Sequence, residues 1–225
     1  MNPQTATVTA RVPAQTTTLS GNRVLRNTYA LLAMTLVFSA LTAGASLVMN
    51  LPHPGLLLTL AGYFGLLYAT YKFRDRALGL LFVFALTGFM GYTLGPILNQ
   101  YLALPQGGQI VMNTMGATGA TFLSLSAYAL TSRRDFSFMG GFLMVGILVA
   151  FLAGLGAMFL EMPGLSLAVS ALFVLLMSGL ILYETSNIIH GGETNYIMAT
   201  VTLYVAIFNL FSALLQLLGF MGGDD

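Results

Sequence analysis

Apolar stretches of bilayer-crossing length recur along the chain from Thr28 to Phe220, interrupted only by short clusters of Pro, Gly or charge. A helical span takes about 20 mostly apolar residues, and a backbone in hydrocarbon must satisfy its own hydrogen bonds. Such repetition excludes a soluble domain with one membrane anchor and predicts an all-α polytopic membrane protein. Charge agrees with this: 7% of the 225 residues are charged, against about 25% in a typical soluble domain.

The breaks set the spans. The first is expected over Thr28–Met49, stopping at Asn50-Leu51-Pro52-His53-Pro54-Gly55. The second covers Leu56–Tyr71 and ends at Lys72-Phe73-Arg74-Asp75-Arg76; the third covers Ala77–Leu98. The fourth runs over Gly108–Leu130, the fifth over Phe138–Leu160, the sixth from Pro163 to Ile189 and the seventh over Tyr196–Phe220. Residues 1–22 are polar and Thr-rich and lack the apolar core of a signal peptide. They predict a disordered cytoplasmic tail, with 23–225 as a seven-helix transmembrane domain.

The basic residues test that count. All eight Lys and Arg lie in the tail and first turn (Arg11, Arg23, Arg26), the loop after span two (Lys72, Arg74, Arg76) or the loop after span four (Arg133, Arg134). With seven spans these fall on one side, and the opposite loops hold none. The positive-inside rule then puts the N-terminus in the cytoplasm and Asp224-Asp225 outside. The chain has no Trp, so interface anchoring falls to its ten Tyr and to these basic residues. The seventh span is read as the weakest, diluted by Thr200, Thr202, Asn209, Ser212 and Gln216; such a segment has to be shielded by other helices.

Gly88, Gly91 and Gly95 fall on one face of the third span, and small residues there let a second helix approach closely. Their reading is helix packing. Pro96 is expected to kink or end that helix.

Glu184 is the one acid deep in a span. At 1.5 Å per residue it lies about 30 Å along the helix that Pro163 begins, toward the cytoplasmic end. One reading is a structural acid satisfied at the interface. The other is a proton- or ion-sensing site facing the bundle interior, since ionisable residues inside membranes are functional candidates. Asn187 stands one turn on, on the same face. Thr202 and Asn209 come from the seventh span, and Lys72 and Arg74 are candidate charge partners. His190 and Glu193 sit in a short Gly-rich loop that reads as a solvated turn.

Enzyme classes find no support. Cysteine is absent, which removes disulfides, thiolate metal sites and a cysteine nucleophile. The zinc-protease and serine-elbow motifs are missing, and one deep acid does not make an aspartyl dyad. One His and one Glu are too few ligands for a closed metal site. No cofactor or nucleic-acid partner is called for; the implied environment is the lipid bilayer.

The runs Val24-Leu25-Arg26-Asn27-Thr28-Tyr29, Thr87 to Leu98, Tyr183 to Tyr196 and Leu203 to Phe211, above all ETSNIIHGGETNYI, resemble the Bax inhibitor-1 family of seven-span membrane proteins. The likeness runs from about Val24 to Phe220 and is greatest to a bacterial inner-membrane branch that modulates the membrane protease FtsH. It implies six helices around a central seventh. It also implies a choice between two functions. One is a regulator that binds and restrains the FtsH complex, with the tail as a handle for the protease. The other is a pH-sensitive calcium or proton leak of the kind some relatives form through two facing acids on the last two helices. The first acid of that pair falls on Glu184; the second falls on Ala206, where the carboxylate is missing. A shared-proton pair cannot form there, which favours the regulator.

Overall fold

A chain this apolar closes its backbone hydrogen bonds along helix axes. The computed structural model describes residues 15–222, with side chains from Asn22 onward. It contains α1 (Gln15–Val48), α2 (Leu56–Phe73), α3 (Ala77–Leu102), α4 (Gly107–Ser132), α5 (Gly140–Phe159, entered through a 3-10 turn at Ser137–Met139), α6 (Pro163–Ile189) and α7 (Tyr196–Met221). There is no strand among the described residues. α1 begins at Gln15, inside the stretch read as tail; residues 1–14 and the terminal acids lie outside the described residues.

Among the described residues six helices are long and apolar enough to cross a membrane: α1 from Asn22, α2, α3, α5 with its entry turn, α6 and α7. The sequence reading therefore misplaced the weakest span. α4, not α7, is the one that falls short, because Gln109, Asn113, Thr114, Thr118, Thr121, Ser124 and Ser126 dilute it. Three of the polar residues of α7 are answered internally. Thr200 donates to the Tyr196 carbonyl at 2.7 Å, Ser212 to that of Phe208 at 2.9 Å, and Gln216 to Ser166 Oγ on α6 at 2.6 Å.

α3 continues through Pro96 to Leu102, so the proline does not end it. Four reversals beside helix ends use non-glycine residues in the left-handed region, Asn50, Gln106, Arg133 and Glu161, with φ between 49° and 57°.

The glycine stripe does what small residues do in a membrane. A β-carbon at Gly91 would collide with the Ser39 carbonyl oxygen and the Thr42 hydroxyl, and one at Gly95 with Ser46. α1 closes on α3 because those atoms are absent.

α7 is the most enclosed helix and packs against α1, α3, α4 and α6. Four of the other six helices pack directly on α7. α2 is carried mainly by α3 and α5 by α6, one layer out. Phe64 of α2 and Phe151 of α5 meet edge-on at 6.2 Å across the gap between those outer helices.

Candidate functional site

The α6–α7 turn is built from polar residues that α6 and α7 push out of the core at one end of the bundle. α6 ends at Ile189, Gly191 takes the left-handed φ of 77°, and Asn195 caps the start of α7. The Asn195 side chain accepts from the backbone N–H groups of Ile197 (3.0 Å) and Met198 (3.2 Å). It satisfies two donors that a helix N-terminus otherwise leaves open. Gly192 is required here: a β-carbon would run into the Asn187 side-chain oxygen.

This turn ties the other two loops of the same end together. Asn195 Nδ2 donates to the Arg74 carbonyl (3.2 Å) and to Asp75 Oδ1 (2.9 Å) in the α2–α3 loop. Ser186 Oγ donates to the Arg134 carbonyl (3.0 Å) and accepts from the Phe136 N–H (3.1 Å) in the α4–α5 loop. The two nitrogens of the His190 ring face the carbonyls of Ser186 (2.8 Å) and Arg133 (3.2 Å). Asp135, beside this clamp, accepts the Ser137 N–H at 2.8 Å. That bond, the Ser137 hydroxyl and the charge of His190 hold its carboxyl below the usual carboxylate range.

Glu184 sits one turn inside this clamp, 4% exposed. Asn187 offers its side chain to the carboxyl. The Oε1 oxygen has no partner among the described residues, and the same holds for the buried hydroxyls of Thr28 on α1 and Ser126 on α4. Neighbouring contacts bring these helices together: Tyr29 bonds Thr185 at 3.3 Å and stacks near Phe122 with centroids 6.0 Å apart. Thr200 reaches the Thr28 carbonyl at 3.3 Å. The result is a small polar interior at the α1–α4–α6–α7 junction.

The other predicted site residues lie elsewhere. Arg74 stacks over Tyr71 at 4.6 Å and pairs with Asp75 at 3.6 Å, and Lys72 stands 6.0 Å from the Phe73 ring. Among the described residues neither forms an ion pair with Glu184. Thr202 lines a groove against α2, and Asn209 faces a mid-span cavity. The structure thus joins Glu184 with Asn187 and separates Lys72, Arg74, Thr202 and Asn209 from them. Sequence reasoning missed Ser186, His190 and Asn195. All three were in view within ETSNIIHGGETN, but the loops they hold are distant in sequence. No group of three or more His, Asp or Glu that could hold a metal occurs among the described residues.

The profile of the family described as inhibitor of apoptosis-promoting Bax1 matches residues 21–223. The chain is 55% identical over 210 residues to a protein of Escherichia coli (strain K12) named Modulator of FtsH protease YccA, covering 93% of this chain and 95% of that one. It is 56% identical over 202 residues to an uncharacterised Pseudomonas aeruginosa protein, covering 90% and 91%. It is 44% identical over 209 residues to an uncharacterised membrane protein of Vibrio cholerae serotype O1, covering 92% and 94%.

Proposed function

This chain belongs to the Bax inhibitor-1 family, and from that premise we propose that it is an inner-membrane regulator that binds an FtsH-type protease complex and restrains it. The observation that carries the reading is the 55% identity, across nearly the whole of both chains, to a protein named for that modulation. Identity this even supports a shared bundle and shared loop surfaces rather than one borrowed motif.

Within this reading the N-terminus is cytoplasmic, and residues 1–22 are the handle by which the protease engages the chain as a slow, competing substrate. The joined basic loops around Arg74, Arg133 and Arg134 form the surface presented on the same side. Glu184 with Asn187 supports the α6–α7 turn and does not conduct. The family's acid-pair latch needs a second carboxylate, and α7 offers Ala206 at that position.

The test is reconstitution. FtsH with a labelled membrane substrate is placed in liposomes with and without this chain, and cation flux is followed in parallel. The expected result is slower degradation, co-purification of the two proteins from solubilised membranes, and no flux. Unchanged degradation with no co-purification overturns the proposal, and flux that depends on Glu184 would replace it with the leak. Reporter fusions at Gly21 and after Asp225 should give opposite signals; equal signals overturn the orientation.

A further inference from the structure

A cavity of about 490 Å³ lies at mid-span, walled by α2, α3, α5 and α6 with α7 as its floor. Its rim is open: Phe64 is 48% and Met144 77% exposed, whereas Met177 at the back is 2% exposed. Phe64 and the rim residue Leu148 lie in the middle of α2 and α5, so the opening between these helices faces hydrocarbon rather than water.

No charged residue lines the cavity. Tyr63, Phe64, Phe89, Phe151, Phe173 and Phe208 give it aromatic walls. Its polar residues are Thr59, Thr93 and Asn209. The two threonine hydroxyls each donate to a carbonyl of their own chain segment at 2.8 Å. Asn209 is different. One N–H goes to the Val205 carbonyl at 2.8 Å, and Oδ1 and the second N–H have no partner among the described residues. An unanswered carboxamide in hydrocarbon is costly.

These features choose the occupant. One turn of helix with its side chains, about 10 Å wide and about 5.4 Å long, takes about 400 Å³, so the cavity has room for about one turn and not for a partner's spanning helix. A charged ligand would be penalised without a counter-charge. A plain acyl chain would leave Asn209 unanswered. A neutral, flat ring with hydrogen-bonding oxygens and an apolar tail meets every condition. Aromatic side chains stack on such a ring, and apolar pockets of this size with a few polar groups are the usual form of small-molecule sites. We propose that this cavity binds a lipid-soluble compound of the quinone class, with one ring oxygen on Asn209 and the tail leaving to the bilayer between α2 and α5. The site is independent of the protease reading.

The chain has ten Tyr and no tryptophan, so intrinsic fluorescence is tyrosine fluorescence, and the part quenched through Tyr63 in the wall is the difference between the natural chain and Tyr63→Phe. The full chain in phosphatidylethanolamine–phosphatidylglycerol nanodiscs is titrated with a decyl-substituted benzoquinone, with decylbenzene as the oxygen-free competitor. Saturable quenching is expected, weakened about three- to tenfold by Asn209→Leu and poorly displaced by decylbenzene. Leu148→Phe, at the lipid-exposed rim, narrows the entrance and should weaken binding even if Asn209→Leu does not fold. Quenching that rises without saturation, equally in the natural chain and in Leu148→Phe, would show bilayer partition alone and overturn the proposal. So would saturable binding that Asn209→Leu leaves unchanged, or equal displacement by decylbenzene, which would mark an acyl-chain groove.

Discussion

Two sets of helices are held together by different forces. α1, α3, α6 and α7 are joined by side-chain hydrogen bonds. Ser39 on α1 bonds Tyr204 on α7 at 2.7 Å, Tyr204 donates on to the Thr87 carbonyl of α3 at 3.2 Å, and Ser46 of α1 donates to the Tyr92 carbonyl at 3.0 Å. In α2, α4 and α5, by contrast, hydroxyls such as Thr70, Thr114 and Thr118 bond only carbonyls of their own helix. Among the described residues no side chain of these three helices hydrogen-bonds another helix. Lipid tails are as apolar as leucine, so burial alone does not drive helices together in a membrane. Directional bonds and glycines set against a neighbour's backbone therefore fix the inner set, whereas α2 and α5 are placed by side-chain shape, with Gly62 against Phe89 and Gly146 against Leu176. The mid-span cavity lies where shape is the weaker constraint.

The difference is most exposed to a bulky residue at a glycine. Gly91→Leu forces a side chain into backbone atoms of α1 and should cost about 3 kcal/mol or more, read as loss of folded protein in detergent and a lowered unfolding temperature. Gly65→Leu on α2, where a β-carbon meets nothing within 4 Å, should change stability by less than about 0.5 kcal/mol. Equal effects would erase the distinction. Asn195→Ala removes a helix cap and a loop tether together and should cost about 1–2 kcal/mol, with faster hydrogen exchange at residues 74–76.

The His190 clamp joins the entry of the outer helix α5 to the inner helix α6, and its expected pH response comes from Asp135. Asp135, its carboxyl held below the usual range, contributes above that range and loses its contribution as pH falls through its lowered value. Protection of the Ser137 amide, corrected for intrinsic exchange, should therefore hold at neutral pH and fall as the Asp135 carboxylate is protonated; a flat response would remove that carboxylate from the clamp. A small effect is also expected for Glu184→Gln, less than about 1 kcal/mol in thermal unfolding, because no cation pairs with the carboxyl among the described residues. A loss of several kcal/mol would reveal an ion pair with Lys72 or Arg74 and move the end of α2 into the laced set.

Helix positions were largely legible because the breakers are local: Asn50-Leu51-Pro52, Lys72 to Arg76 and Pro163 act within a few residues of themselves. The ranking of α4 and α7 was not. Counting Thr200, Ser212 and Gln216 as dilution treats them as facing lipid, whereas in the bundle they find partners on α1, α6 and their own helix. The glycine stripe was read correctly because a missing side chain has one consequence on a helix face. The clamp was not read, since the turn's residues bond partners such as Arg74 and Arg134 that only the tertiary fold brings near. The pairing of Glu184 with basic residues failed for the converse reason. Sharing a side of the membrane does not set a distance, and Arg74 found Tyr71 and Asp75 in its own loop.

The central place of α7 also orders events during synthesis. A ribosome delivers α1 to α6 first, and domains tend to form from the N-terminal side as the chain emerges. Until α7 follows, Ser39, the Thr87 carbonyl and Ser166 have no partner across the slot that Tyr204 and Gln216 later fill. Thr28 must wait through 172 residues for Thr200. A nascent bundle therefore stands in the membrane with a polar seam open along its middle, and arrest of translation between α6 and α7 leaves it in that state.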